Sequence, residues 1–279
     1  MPDIVIHVVA SALYAALALH FWNTRWRARP AAPAPGVPPA AGLQAWERAA
    51  ILLPLAAHGA LLHAELFAQS ELRFGFAYAL SAMLWLAVLF YWIESFFYDL
   101  DAMQPPALAL AALSVPLPAL FPGRVGAAYA ASFEFRLHLV LAMLAYSLFT
   151  LALLHALLMA AVERRLHQKS GAALGPLPPL LTLERLLFRL IGAAFVLLTV
   201  TLATGFAFSE SLFGRAMRFD HKTVFGLLSW LTFGLLLAGR QLRGWRGRTA
   251  LRWTLSGFVL LLLAYIGSRF VLEVILGRG

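Results

Sequence analysis

The stretch SESLFGRAMRFDHKTVFGLLS, Ser209 to Ser229, decides how this chain is read. It is polar and basic as far as Lys222, then passes without a break into the apolar run VFGLLSWLTFGLLLAG, Val224 to Gly239. Such a switch marks the mouth of a membrane helix, and Asp220-His221-Lys222 sets three ionisable residues at that mouth. Ionisable groups beside a bilayer are costly, so a spanning chain keeps such a triplet to bind something or to anchor a helix end.

Composition agrees with a membrane reading. The 279 residues are 62% hydrophobic and 13% charged, against about 25% charged for soluble domains. At about 20 residues per span plus connections, this length holds seven or eight helices and no sizeable soluble domain. There is no cysteine, which excludes disulfides, thiolate metal sites and thiol relay chemistry from the chain itself. The net charge of +9 is spread over short loops. That pattern records topology and contact with an anionic lipid bilayer, not nucleic-acid binding.

Read in order, the chain predicts eight spans: about Ile4–Trp22, Trp46–Phe67, Phe74–Ile93, Ala107–Phe121, Phe133–Val162, Leu183–Phe206, Thr223–Gly239 and Leu251–Leu276. The first has Asp3 before it and Arg25, Arg27 and Arg29 after it. A signal peptide carries its charge on the other side, so a retained helix with its N-terminus outside is expected. A proline-rich cytoplasmic linker follows at 28–42. The fourth span is short and laced with proline; without it every later loop would change sides. The arginines of RQLRGWRGRTALR, between the last two spans, favour keeping it. The expectation is an all-α, polytopic helical bundle of about eight transmembrane helices forming one membrane domain, 1–279, with both termini periplasmic. Helices one to four occupy 1–132 and helices five to eight 133–279.

Eight histidines are present, and depth sorts them. His138 and His221 both stand near the outer start of a helix, where the positive end of the helix dipole favours anionic groups and a neutral imidazole. Glu134, four residues before His138, shares its face and could hold the other ring nitrogen. Asp220 is placed either to orient the start of its helix or to cap it. Arg136, Arg215, Arg218 and Lys222 supply cations at the same level. Two imidazoles, several cations and an apolar floor suit haem, with the histidines on the iron and the basic groups on the propionates. Phe206, Phe208, Phe213, Phe219, Phe225 and Trp230 offer flat surfaces, although such a stripe also serves ordinary helix packing. His58 and His63 are five apart, about 140° around a helix, and do not converge on one metal. No Ser-His-Asp set, Walker loop or HExxH occurs.

The C-terminal half resembles the cytochrome c assembly family of membrane haem-handling proteins (the CcsA, HemX and CcmC types), and within it the YpjD-like inner-membrane branch. That family carries a helix approximating WDPKETWxLxxWLxFxxYLxxR. Here Phe219-Asp220-His221-Lys222 precedes Phe225, Leu227, Trp230, Leu231, Phe233 and Arg240 in the same register. RLHLVLAMLAYSL, with His138 and Tyr146 eight apart, resembles the family's periplasmic histidine helix; Glu184–Gly205 resembles its next helix, and GWRG with GFVLLLLAYIGSRF its last. The likeness covers about Phe135 to the end. His221 replaces the motif's proline, residues 206–219 contain no tryptophan, and no later outer histidine follows the last helix.

The resemblance implies haem held at the periplasmic face for delivery to apocytochrome c. Haem b is the expected cofactor, His138 and His221 the iron ligands, and Asp220, Lys222, Arg215, Arg218, Arg136, Phe219 and Trp230 the surrounding site. No turnover chemistry of its own is expected. A thiol-handling cytochrome c assembly partner is implied, since the chain has no cysteine to reduce apocytochrome. Two other readings remain at this point: a HemX-like regulatory or scaffolding protein, and a small transporter with His58, Glu65 and His155 along its path.

Overall fold

Eight apolar segments form eight helical rods in the computed structural model, which describes residues 2–27, 42–67, 74–100, 102–122, 132–167, 180–213 and 220–277. They are α1 (Pro2–Phe21, widening into a π-helical turn at Trp22–Arg27), α2 (Ala45–Phe67), α3 (Phe76–Glu94) and α4 (Gln104–Ser114, continued at Leu117–Leu120). Then come α5 (Phe133–His167), α6 (Leu180–Phe213), α7 (His221–Arg243) and α8 (Gly247–Leu262, running on through Leu263–Gly267, Ser268–Phe270 and Val271–Ile275). No strand occurs among the described residues. All but α2 and α4 are long and apolar enough to cross a membrane; α2 is diluted by Glu47, Arg48, His58 and His63, and α4 is short. Residues 28–41 of the expected linker, together with Arg215, Arg218 and Phe219, lie outside the described residues.

Successive rods run antiparallel. Between α2 and α3, His58 meets Ser81 while Arg48 donates to the Ser95 carbonyl. Between α6 and α7, Leu202 lies against Gly226 and Glu184 pairs with Arg240. The fourth rod also travels the depth of the bundle. Trp26 Nε1, at the far end of α1, donates to the Ala102 carbonyl at 3.1 Å, and Ser11 Oγ, near the start of α1, donates to the Ala112 carbonyl at 2.7 Å. Phe121 then packs on Phe76, the first residue of α3, with ring centroids 5.2 Å apart. Pro116 and Pro118 break the helix but not its course. The starts of α1, α3, α5 and α7 therefore share one end, here the terminal end, with the last turns of α8. The opposite end is the hairpin end, named for the tight α7–α8 turn.

Burial follows helical spacing. On α1 the stripe His7, Ala10, Tyr14, Ala18 and Phe21 is buried, while Ile4, Val5 and Val8 face outward. Ala10 and Ala18, with Ala107 and Ala111 of α4, are small enough to let these two rods lie close. Phe149 of α5 stacks on Phe233 of α7 with centroids 3.9 Å apart. Gly257 is required at the α7–α8 crossing, since a β-carbon there would stand 2.8 Å from the Phe233 ring. At the hairpin end Gly244, φ +65°, ends α7 in the left-handed region that suits glycine. Buried Glu184 of α6 clamps the turn by pairing with Arg240 and Arg246.

Candidate functional site

His138 sits one and a half turns into α5, half-buried against α6. Its Nδ1 lies 3.0 Å from Thr204 Oγ1, and the Thr204 hydroxyl donates to the Thr201 carbonyl at 2.9 Å. The Cε1–Nδ1 edge of the ring faces Gly205, whose added β-carbon would lie 3.3 Å from Cε1 and 3.9 Å from Nδ1. Nε2 is more than 4 Å from that position, so Nδ1 is the nitrogen nearer the α6 backbone. The partner expected from spacing was Glu134. Thr204 on the neighbouring rod takes that place, a tertiary contact winning over the i, i+4 one.

The start of α7 is built as a cap. Asp220 is extended, and its carboxylate accepts from the Thr223 backbone N–H at 3.0 Å and from the Thr223 hydroxyl at 3.1 Å. Of the two roles open to Asp220, capping is the one its geometry performs. Lys222 is half-buried and lies within electrostatic range of Asp220 and of Arg269 and Glu273 on α8. Glu273 also accepts from the Phe76 backbone N–H at 3.3 Å, supplying the cap that Gly75 cannot provide to α3. Arg136 is exposed at the start of α5.

His138 and His221 share a depth. A β-carbon on Gly226 would lie 3.5 Å from Leu202; at about 1.5 Å per residue, His221 is then only about 5 Å nearer the terminal end than Thr204. Their directions differ. His221 lies on the exposed stripe of α7 that carries Leu228 and Leu235. Trp230 is nine residues on, about 180° around the helix. It faces α6, stacking on Phe195 at 5.6 Å and donating from Nε1 to Thr199 Oγ1 at 2.9 Å. Tyr146 is likewise used in packing, donating to the Leu261 carbonyl at 2.8 Å beside the π-helical widening of α8.

The histidines of the transporter reading are not brought together. His58 Nε2 lies 2.8 Å from Ser81 Oγ, while His155 Nε2 lies 3.3 Å from Glu94 Oε2. Ser81 and Glu94 stand thirteen residues apart on α3, about 20 Å along the bundle. The side chain of Glu65 is outside the described residues. The Glu94–His155 pair left no sequence signal because its members lie on different rods, with α4 between them in the chain.

The model of the family described as "Cytochrome C assembly protein" matches residues 46–276. The Escherichia coli K12 protein named inner membrane protein YpjD is 33% identical over 173 residues, 62% of this chain and 65% of its own length. An Azospirillum brasilense protein known only as an uncharacterized 28.8 kDa protein is 38% identical over 142 residues, half of this chain and 52% of its own. The cytochrome c biogenesis protein CcsA of Trichormus variabilis is 34% identical over 98 residues, 35% of this chain and 26% of its own. The chain thus spans under two thirds of the length of these relatives, and no solved structure matches it. The family match extends the likeness seen from Phe135 onward back to α2. Because it takes in every rod from α2 to α8, the His138 end included, the chain belongs to the cytochrome c assembly protein family.

Proposed function

We propose that the protein holds haem b at its terminal end, on the periplasmic side of a bacterial inner membrane, in support of cytochrome c maturation. The observation that carries this reading is the His138 ring, tethered to α6 through Nδ1, which leaves Nε2 as the nitrogen for a ligand. The donor set favours haem over a bare ion. Among the described residues no three His, Asp or Glu side chains converge on one point, whereas haem brings four nitrogen ligands and asks the protein for one or two. His138 would be the axial ligand, and His221, on the face of α7 turned from α6, would stand at the rim of the site. Lys222 and Arg136, with Arg215 and Arg218, would meet the propionates, while Asp220 fixes the helix start from which His221 and Lys222 project. Phe219 would contribute apolar surface beside them, while Trp230, turned to α6, would support the site only through the α6–α7 packing. Bound there, haem would be the cargo for apocytochrome c, and the cysteine-free chain would leave thiol reduction to a partner protein. The names of YpjD and CcsA, an inner membrane protein and a cytochrome c biogenesis protein, support the same assignment.

The experiment is a reduced-minus-oxidised absorption spectrum of the protein purified in mild detergent, with a haem assay on the same sample. A haem signal near one per chain is expected. A colourless protein that takes up no added haem overturns the reading and leaves a scaffolding or regulatory role.

Orientation has its own test. Arg240, Arg243, Arg246, Arg248 and Arg252 crowd the hairpin end, which the positive-inside rule assigns to the cytoplasm. Because the native chain has no cysteine, single cysteines report cleanly. Arg136→Cys is expected to react with an impermeant maleimide added outside intact cells, and Arg243→Cys only after lysis. The reverse pattern would place the His138 end inside.

A further inference from the structure

We infer that Thr204 is a positioning residue that fixes the proton of His138 on Nδ1 and so presents Nε2 as the ligating nitrogen. The direction follows from the hydrogen-bond inventory. The Thr204 hydroxyl has one proton, and it is given to the Thr201 carbonyl, which can only accept. What Oγ1 offers His138 at 3.0 Å is a lone pair, so the imidazole Nδ1 must be the donor. A neutral imidazole with its proton on Nδ1 carries its lone pair on Nε2, the nitrogen that Thr204 does not engage. Gly205 completes the seat. A β-carbon 3.3 Å from Cε1 would press on the ring, so glycine here lets the imidazole lie against the backbone of α6. The chain Thr201 carbonyl, Thr204 hydroxyl, His138 Nδ1 is the kind of outer support that orients a ligating histidine and raises its basicity.

The tautomer stands on this geometry alone; its use in holding haem rests on the function proposed above. The two are separable by experiment. In apoprotein labelled with 15N-histidine, with the His138 signal assigned by its loss in His138→Asn, the wild type is expected to show His138 protonated at Nδ1. Thr204→Val, nearly isosteric but without a hydroxyl, is expected to shift that signal toward the Nε2-protonated form, and Thr204→Ser to restore it. A wild-type His138 protonated at Nε2, or a Thr204→Val spectrum identical to wild type, overturns the inference whether or not haem binds. With haem added, Thr204→Val is expected to bind about 10–100-fold more weakly, the usual cost of losing an outer-shell partner, and to shift the reduction potential, with Thr204→Ser near wild type. Haem bound through His138 with unchanged affinity and potential in Thr204→Val would refute the positioning role. Failure of the wild type to bind haem would instead refute the proposed function, leaving the labelled spectra to judge Thr204.

Discussion

Glu94→Ala is expected to destabilise the protein by about 3 kcal/mol, where the cost of an orphaned buried polar group meets that of a broken buried pair. His155 is fully buried and Glu94 nearly so. His155 Nδ1 donates to the Leu151 carbonyl at 2.9 Å, which leaves Nε2 to face Glu94 Oε2 at 3.3 Å. Among the described residues neither of those two atoms makes a hydrogen bond, so their 3.3 Å contact is the one polar contact each has, and removing either residue strands the other inside the bundle. The pair also joins α3 to α5, tying the first four rods to the last four. His155→Ala is therefore expected to cost a similar amount, while Glu94→Leu combined with His155→Leu costs less than either alanine change, because no polar atom is then left unmatched. Unfolding in mixed micelles measures all three, and the departure from additivity gives the coupling between the residues. Single variants as stable as wild type, or a double variant equal to their sum, would remove the pair from the architecture.

How much of this was legible in the sequence follows from the range of each interaction. Apolar runs and their breaks are local, so the eight rods stand close to where hydropathy put them, and the cap at Asp220 could be named from three adjacent residues. The course of α4 was harder: proline at 116 and 118 weakens its signal, and only Trp26, Ser11 and Phe76 on other rods reveal that it travels the bundle's depth. At the candidate site, depth was readable from distance along each rod, which sets His221 about 5 Å beyond Thr204, the partner of His138. Azimuth was readable only in part. The nine-residue step from His221 to Trp230 already sets them on opposite faces of one helix, but which face meets α6 depends on partners such as Phe195 and Thr199. Thr204 left no signal because a single threonine in an apolar run is ordinary. Its role exists only once α5 brings His138 against it.

The largest functional effect is expected at His138. Imidazole ligation depends on one nitrogen at one position, and the two described residues against the ring offer no substitute: Thr204 is committed to the ring and to Thr201, and Gly205 has no side chain. His138→Gly is therefore expected to lower haem affinity at least about 100-fold, which is about 2.8 kcal/mol, with loss of the wild-type ligand-field spectrum. The cavity left by the ring permits a direct check on whether folding or ligation has failed. Millimolar imidazole added to His138→Gly should occupy the space beside Gly205 and restore both haem content and spectrum, while having no effect on wild type. His221→Ala is expected to retain haem with an altered spectrum, since His221 is exposed at a helix start, outside the chain from Thr201 through Thr204 to His138. Equal haem content in wild type and His138→Gly would show that the iron is held elsewhere, and His138 would then be a packing residue between α5 and α6. Full loss in His221→Ala with none in His138→Gly would move the primary ligand to α7, where Asp220, not Thr204, governs its placement.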